Sequence, residues 1–407
     1  MAKLGRTIKL RLYPDNNQSA DFLAMSREYQ RLANIVSQWI FDHEFSLSWL
    51  KINHQLYQVL RQKSQLNSQM VQSVFRTVVA RYKTVQEQMK QHPYRYKNEG
   101  NKWVQVPRDL TWLVKPIHFR RPQADLVRQR NYSFVDEMKR ISITTLGKRT
   151  KMCFTDKGFE DYFHGDWKLG TAKLVYNYGK WFLHIGVTKE VSDFDAKDNP
   201  QIVGIDRGLR FLVAAFDSKG KTLFFDGKKV LYKRKRFLET RRQLQRKDTK
   251  ASKKKLKRLA QRENRWMTDV NHWLAKTLVA LYGSHTVFVL EDLTNVTFNT
   301  DDLPNSLRNS HRSWSFFQLE SFLTYKAQSI QSAVVKVNPA FTSQRCSRCG
   351  MVEKTNRHHD SHEYWCKQCQ YRCNDDRLGA DAWSRMAEWC QATKDFEASG
   401  YWVDPDS

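Results

Sequence analysis

Ile202-Val203-Gly204-Ile205-Asp206-Arg207-Gly208 is the stretch that decides the fold. An uncharged run ends abruptly at an aspartate, the pattern of a buried strand that delivers a carboxylate to a cleft at its end. A second apolar run, Phe211 to Phe216, ends at Asp217, and Phe224-Phe225 begins a third. Further on, Thr286-Val287-Phe288-Val289-Leu290 reads as another buried strand and ends at Glu291-Asp292. Helical spacing covers Met267 to Tyr282 and about Trp314 to Ser332. Val334 to Val337 then reads as a strand, and a closing helix is expected from about Asp375 to Trp389.

Working outward toward the start, Arg6 to Tyr13 alternates as a strand. Pro14 and Asp15-Asn16-Asn17 stop it and offer a cap to a helix over about Gln18 to His43. A second helix is predicted from about Ser68 to Gln91, with Val71, Phe75, Val78, Val79, Tyr82 and Val85 on one face. Residues 92–102 read as a polar connector. From 103 to 190 the pattern is of short strands, clearest at Arg140 to Thr144, Thr171 to Tyr176 and Trp181 to Val187. An acidic, polar linker is expected over about 190–200.

The chain has 407 residues, with 69 Lys and Arg against 42 Asp and Glu, a net charge of +27. Self-repulsion on that scale calls for a polyanion, and nucleic acid is the natural one. The density is greatest from Lys233 to Arg265, where 16 of 33 residues are Lys or Arg and only three are acidic. Lys233, Arg234, Lys235, Arg236, Lys253, Lys254 and Lys255 are the expected phosphate contacts, on helices with a thin apolar stripe of Leu238, Leu244, Leu256 and Leu259. The 13 Trp, 16 Tyr and 23 Phe suit base stacking as well as core packing. The opening residues lack an apolar signal core, and no stretch approaches 18 uninterrupted apolar residues, so the expectation is a soluble intracellular protein without membrane contact.

Four of the seven cysteines form two knuckles, Cys346-Ser-Arg-Cys349-Gly350 and Cys366-Lys-Gln-Cys369, with 16 residues between them. Paired thiolates at this spacing wrap one tetrahedral zinc with sulfurs about 2.3 Å from the metal. His358, His359 and His362 lie between the knuckles, and because four thiolates suffice they are read as surface residues. Asp206, Glu291 and Asp376 are the candidate catalytic carboxylates, two at strand ends and one at a helix start. Acids so placed can converge on two Mg²⁺ ions about 3.5–4 Å apart, one activating water and the other stabilising a leaving oxygen.

These motifs together resemble TnpB, the transposon-encoded nuclease family related to type V CRISPR effectors. The resemblance rests on Val203-Gly-Ile-Asp206-Arg-Gly, Leu290-Glu291-Asp-Leu, Asn338 to Gly350, Cys366-Lys-Gln-Cys369 and Asn374-Asp-Asp376-Arg-Leu-Gly-Ala. The opening Lys9-Leu-Arg-Leu-Tyr-Pro14 adds to it. It implies an RNase H-like RuvC nuclease domain (201–340 and 373–390) carrying a four-cysteine zinc finger (341–372). It also implies a wedge domain (1–15 and 101–195) interrupted by a helical recognition lobe (16–100), with a tail over 391–407. Asp376 rather than Asp375 is the third catalytic acid by the register of the family's D-x-D-x-N-A-A motif, with Asn374 in place of its first Asp. Leu378 stands where Asn is usual, and Ala382-Trp383 where Asn-Ile is common. Gln72 stands where the family carries a motif-reading Gln, and fits an exposed helical Gln equally well.

The implied activity is RNA-guided cutting of double-stranded DNA beside a short transposon-adjacent motif, with two Mg²⁺ ions, one structural Zn²⁺ and a guide RNA. Monomer and dimer are both open. A compact type V CRISPR effector and a cleavage-dead RNA-guided repressor are the alternatives, and the presence of all three acids disfavours the second.

Overall fold

In the computed structural model the described residues are 2–192, 194, 200–293, 316–337, 344–358 and 361–381. The chain divides into two compact units, Gly5–Glu190 and Val191–Ser407 with Met1–Leu4.

The first unit opens on β1 (Ala2–Tyr13), followed by α1 (Asn16–Asp42), α2 (Trp49–Gln62) and α3 (Ser68–Gln91). Asp15 caps α1 as its side chain accepts from the Gln18 amide at 2.8 Å, while the Gln18 side chain accepts from the Asp15 amide at 3.1 Å. Phe22, Met25, Tyr29, Leu32, Val36 and Ile40 form the buried stripe of α1, and Met70, Val74, Phe75, Val78 and Tyr82 that of α3. Helix α2 was not foreseen from the sequence. Strand β2 (Tyr94–Lys97) forms where a connector was expected, and it pairs in a hairpin with β3 (Trp103–Val106) at the start of the stretch read as short strands.

Six more strands follow: β4 (Gln123–Leu126), β5 (Tyr132–Val135), β6 (Arg140–Thr144), β7 (Arg149–Thr155), β8 (Lys168–Asn177) and β9 (Lys180–Val191). They join β1 in a seven-stranded sheet ordered β4-β8-β9-β1-β7-β6-β5. The alternation of Trp181, Leu183, Ile185 and Val187 puts one face of β9 into the core that the helices share. Most of the expected linker after β9, residues 193 and 195–199, lies outside the described residues.

The second unit is built on β10 (Gln201–Asp206), β11 (Phe211–Asp217) and β12 (Thr222–Asp226), an antiparallel meander. Two long helices follow, α4 (Lys228–Lys247) and α5 (Lys250–Tyr282), then β13 (Thr286–Glu291), α6 (Phe316–Gln328) and β14 (Ala333–Val337). The sheet order is β12-β11-β10-β13-β14, and β10, β13 and β14 run parallel. Period-2 burial explains its two covered faces. Val203, Ile205, Phe288 and Leu290 pack with Leu274, Leu278, Leu319 and Leu323 of α5 and α6, while Ile202, Val287 and Val289 form a smaller cluster with Val335. The basic stretch and the amphipathic segment after it, read separately in the sequence, share the single helix α5.

Short strands β15 (Arg357–His358), β16 (Glu363–Trp365) and β17 (Arg372–Asn374) make a three-stranded ribbon, and a helix over 375–381 follows β17 directly. Among the described residues no helix is long and apolar enough to cross a membrane.

Candidate active site and metal centre

Asp206 and Glu291 are the last residues of β10 and β13. Those strands pair in parallel up to Ile205 opposite Leu290, so the next residue on each brings both carboxylates out at one end of the sheet. The third acid arrives on the helix over 375–381, whose start is capped by Asn374: its side-chain oxygen accepts from the Asp376 amide at 3.1 Å. One turn later Gly379 lies against Asp206. A Cβ added there would sit 3.2 Å from both the carboxyl carbon and Oδ2 of Asp206. The small residue of the third motif is therefore what lets the helix backbone press onto the first acid.

Electrostatics record the convergence. Burial, then the charge of Asp376, pushes Asp206 up to about 6, against the opposing pull of Arg357 and Arg207. Burial, then Asp206, pushes Glu291 up to about 7. Asp376 is raised by burial and then by Asp375, with Arg210, Arg357 and His362 opposing. Its Oδ2 is buried without a hydrogen-bond partner, and the guanidinium of Arg210 stands 4.0 Å away. Carboxylates that resist sharing their charge, one with an orphaned oxygen, make a donor set that fits hard divalent cations such as Mg²⁺.

Asp375 is placed differently. It is buried, and its Oδ2 lies 3.2 Å from both Nε and Nη2 of Arg357; Nδ1 of His362 stands 3.6 Å from Oδ1. The backbone adds to this contact, as the Asp375 amide donates to the His362 carbonyl at 3.2 Å. His362 is thus a neighbour of the acids rather than only a surface residue, and His362, Asp375 and Asp376 offer ligand atoms all within 4.8 Å of one another. Two arginines also escaped the sequence reading. Buried Arg207 donates to the Glu291 carbonyl at 2.6 Å and pairs with Glu320 at 3.2 Å, tying two strand ends to α6. Arg357 faces the acids from the ribbon. The first had a signal, being fixed to the Asp206 motif; the second had none, because a separation of 18 positions from Asp375 leaves no periodic trace.

The four knuckle cysteines come together, with their sulfurs within 4.8 Å of one another. Cys346 and Cys369 are 3.6 Å apart, and Cys349 and Cys366 3.5 Å. Thiolates at about 2.3 Å around a tetrahedral zinc stand about 3.8 Å apart, so the cage fits that ion. Each knuckle closes on backbone bonds, with Gly350 donating to Cys346 at 2.9 Å and Gln370 to Cys366 at 2.8 Å. Both donors are left-handed, at φ 76° and 58°, so Gln370 occupies a slot that the first knuckle gives to glycine. Leu378, the departure in the third motif, is buried with Cys346, Tyr364 and Cys366 and so belongs to the ribbon's core. Residues 382 and 383 lie outside the described residues.

Of the expected phosphate contacts, Lys233, Lys235, Arg236, Lys253, Lys254 and Lys255 are exposed on α4 and α5. Arg234 is not. It is buried, facing the charges of Glu263 and Arg241, because Val230, Arg234 and Phe237 recur at helical spacing on the face that packs on α5. That corrects its reading as a surface contact. Lys233 lies over the Trp266 ring at 4.5 Å, and Lys253 pairs with Asp248 at 3.0 Å. Gln72 is half-buried on α3, in the other unit.

Comparison with known proteins adds two family matches: Cas12f1-like, TNB domain, over residues 316–381, and OrfB_IS605, "Probable transposase", over 184–295. A CRISPR-associated endodeoxyribonuclease Cas12f1 of Syntrophomonas palmitatica is 29% identical over 207 residues, 47% of this chain and 40% of that protein. InsQ of Escherichia coli, assigned in its name to the RNA-guided DNA endonucleases, is 29% identical over 216 residues, 50% of this chain and 52% of its own. The chain thus spans about half the length of the curated relatives it matches. The Cas12f1 chain from a cryo-EM complex with sgRNA and target DNA superposes with a TM-score of 0.56 at 12% identity, over 94% of this chain and 99% of that one. The chain is TnpB-like, with an α/β fold resembling that of Cas12f1.

Proposed function

We propose that this chain is an RNA-guided DNA endonuclease of the TnpB type, cutting double-stranded DNA beside a short transposon-adjacent motif with Asp206, Glu291 and Asp376. The observation that carries the reading is the approach of the Gly379 turn to Asp206, which couples the charges of three acids drawn from two strand ends and one helix. These residues would hold two Mg²⁺ ions, which supply an activated water and neutralise the leaving 3′ oxygen. Arg207 holds the ends of β10 and β13 in register, and the Arg357–Asp375 pair holds the helix start, so that the carboxylates meet before substrate arrives. Cys346, Cys349, Cys366 and Cys369 would hold one structural Zn²⁺.

In this reading residues 201–340 and 373–390 form an RNase H-like RuvC nuclease domain. Residues 341–372 are its zinc finger, 16–100 a recognition lobe, and 1–15 with 101–195 a wedge. Guide pairing reads the sequence and the protein reads shape and the adjacent motif, with Gln72 a candidate for the latter. The exposed lysines and arginines of α4 and α5 grip phosphates, and the names of the relatives support both nucleic-acid partners and an endonuclease activity. A cytoplasmic site of action belongs to the same reading. A compact type V CRISPR effector is the second reading, favoured by the TNB-domain match and the Cas12f1 relative. Protein purified with RNA from its own locus is expected to cut a matched duplex in Mg²⁺ only. Absence of Mg²⁺-dependent cutting across a library of adjacent motifs would overturn the proposal, while an RNA encoded beside a repeat array would favour the second reading.

A further inference from the structure

The β2–β3 hairpin belongs to neither sheet core. Its strands are four residues each, they pair only with one another, and all of β2 is exposed. A lone two-stranded ribbon is marginally stable in water, yet this one spends its positions on large rings. Trp103 is 67% exposed, Tyr94 49%, Tyr96 41% and the neighbouring Trp112 43%. The register sorts them. Tyr94 and Tyr96 share one face and stack, centroids 5.9 Å apart at 25°, with Trp112 5.7 Å from Tyr94. The other face carries Arg95 and Lys97 with Trp103, and the Lys97 ammonium lies 5.5 Å over that ring. Arg108 lies 5.7 Å over Trp112. Residues 92–121 hold seven Lys or Arg against two acids.

We propose that this hairpin, with Trp112 beside it, is a stacking platform for the unpaired bases of a single-stranded RNA or DNA. Both halves of the pattern are needed by such a ligand: flat faces for bases and cations for the phosphates between them. A duplex hides its base faces, so the rings would be idle against one. A second copy of the chain would bring like charges together, which disfavours self-association on this face. The inference uses none of the carboxylates and is measured without cleavage, so it stands or falls apart from the endonuclease reading.

The test uses the full chain in Mg²⁺-free buffer with 12-nucleotide oligo-dT and oligo-rU probes, each carrying a central 2-aminopurine. Binding is read by anisotropy and stacking by 2-aminopurine quenching. The triple variant Tyr96→Ala, Trp103→Ala, Trp112→Ala is expected to bind at least tenfold more weakly and to lose most of the quench. Its slope of log affinity against log salt should be unchanged, since no cation is removed. The ring-conserving Tyr96→Phe, Trp103→Tyr, Trp112→Phe variant should stay within about twofold of the parent, and Trp103→Ala alone should lose several-fold. The arm with the larger loss identifies RNA or DNA as the ligand. Affinity and quench unchanged in the triple Ala variant would overturn the proposal, as would an equal loss in the ring-conserving one. So would a parent dimer that the Ala variant dissolves, which would make a second copy the occupant.

Discussion

Asp375 and Asp376 are neighbours in sequence with different surroundings, and the difference is testable. Asp376→Ala, like Asp206→Ala and Glu291→Ala, is expected to lower the cleavage rate by roughly 10³-fold or more with RNA binding retained, measured in single-turnover assays. Asp375→Ala leaves Arg357 without its hydrogen-bonded carboxylate, and the loss should fall on stability, about 3 kcal/mol, read by chemical denaturation. Equal rate losses with unchanged stability would remove the distinction. Proton competition follows from the same cluster. A carboxyl whose pKa in the fold stands above its ordinary value costs nothing below that ordinary value and its full penalty above the raised one. For Asp206 and Glu291 the window runs from 3.8 and 4.5 to about 6 and 7. Metal-free protein should therefore lose this part of its stability between about pH 4 and 7, and Mg²⁺ should restore more at pH 8 than at pH 5.5. A thermal shift with Mg²⁺ that is equal at both pH values would contradict the coupling. Asp206 and Glu291 were legible because an apolar run ending in an acid is a local signal. The choice of Asp376 rested on motif register, and the partner that occupies Asp375 lies beyond the reach of local pattern.

At the scale of elements, the two cysteine knuckles part ways at the residue after the second cysteine. Gly350 takes a left-handed turn without strain, and Gln370 takes the same turn at a cost of about 1 kcal/mol. Gln370→Gly is expected to stabilise the ribbon by roughly that amount, and Gly350→Ala to weaken it by at least as much, both read as the chelator concentration that releases zinc. No change in either variant would mean that the turn geometry does not limit metal retention. Spacing announced the knuckles but not this asymmetry, since a lone Gln carries no mark of its backbone angle. The α4–α5 hairpin shows the same limit. Charge density was plain, yet Arg234 falls on the packed face because its neighbours four before and three after are Val230 and Phe237. Strand β2 was missed for a related reason: four residues beside the polar loop Asn98-Glu-Gly-Asn-Lys102 look like a connector.

For the whole molecule the governing quantity is the net charge of +27. If its exposed cations neutralise about ten phosphates of a duplex, affinity should fall with a log–log salt slope near −9. Replacing Lys253, Lys254 and Lys255 with Gln should flatten that slope by about 3, whatever the target sequence, in filter-binding titrations. A slope near zero would leave those helices as solvated surface. The α/β character of the second half and the helices within β structure of the first half were readable, because both rest on periodicity. How three acids from positions 206, 291 and 376 share one charge balance was not, because sheet order and helix docking are long-range facts.

Strand β17 passes into the helix over 375–381 without an intervening loop, and the last knuckle cysteine and the third acid are seven residues apart. Under the proposed function this arrangement widens the routes by which a lineage can give up cutting. Loss of any ribbon cysteine would slacken the lever that sets Asp376, while leaving the cations of α4 and α5 and the hairpin of the first unit intact. A descendant that binds without cleaving therefore need not have lost a carboxylate. In sequences of this kind, domestication would be traced through the cysteines as well as through the acids.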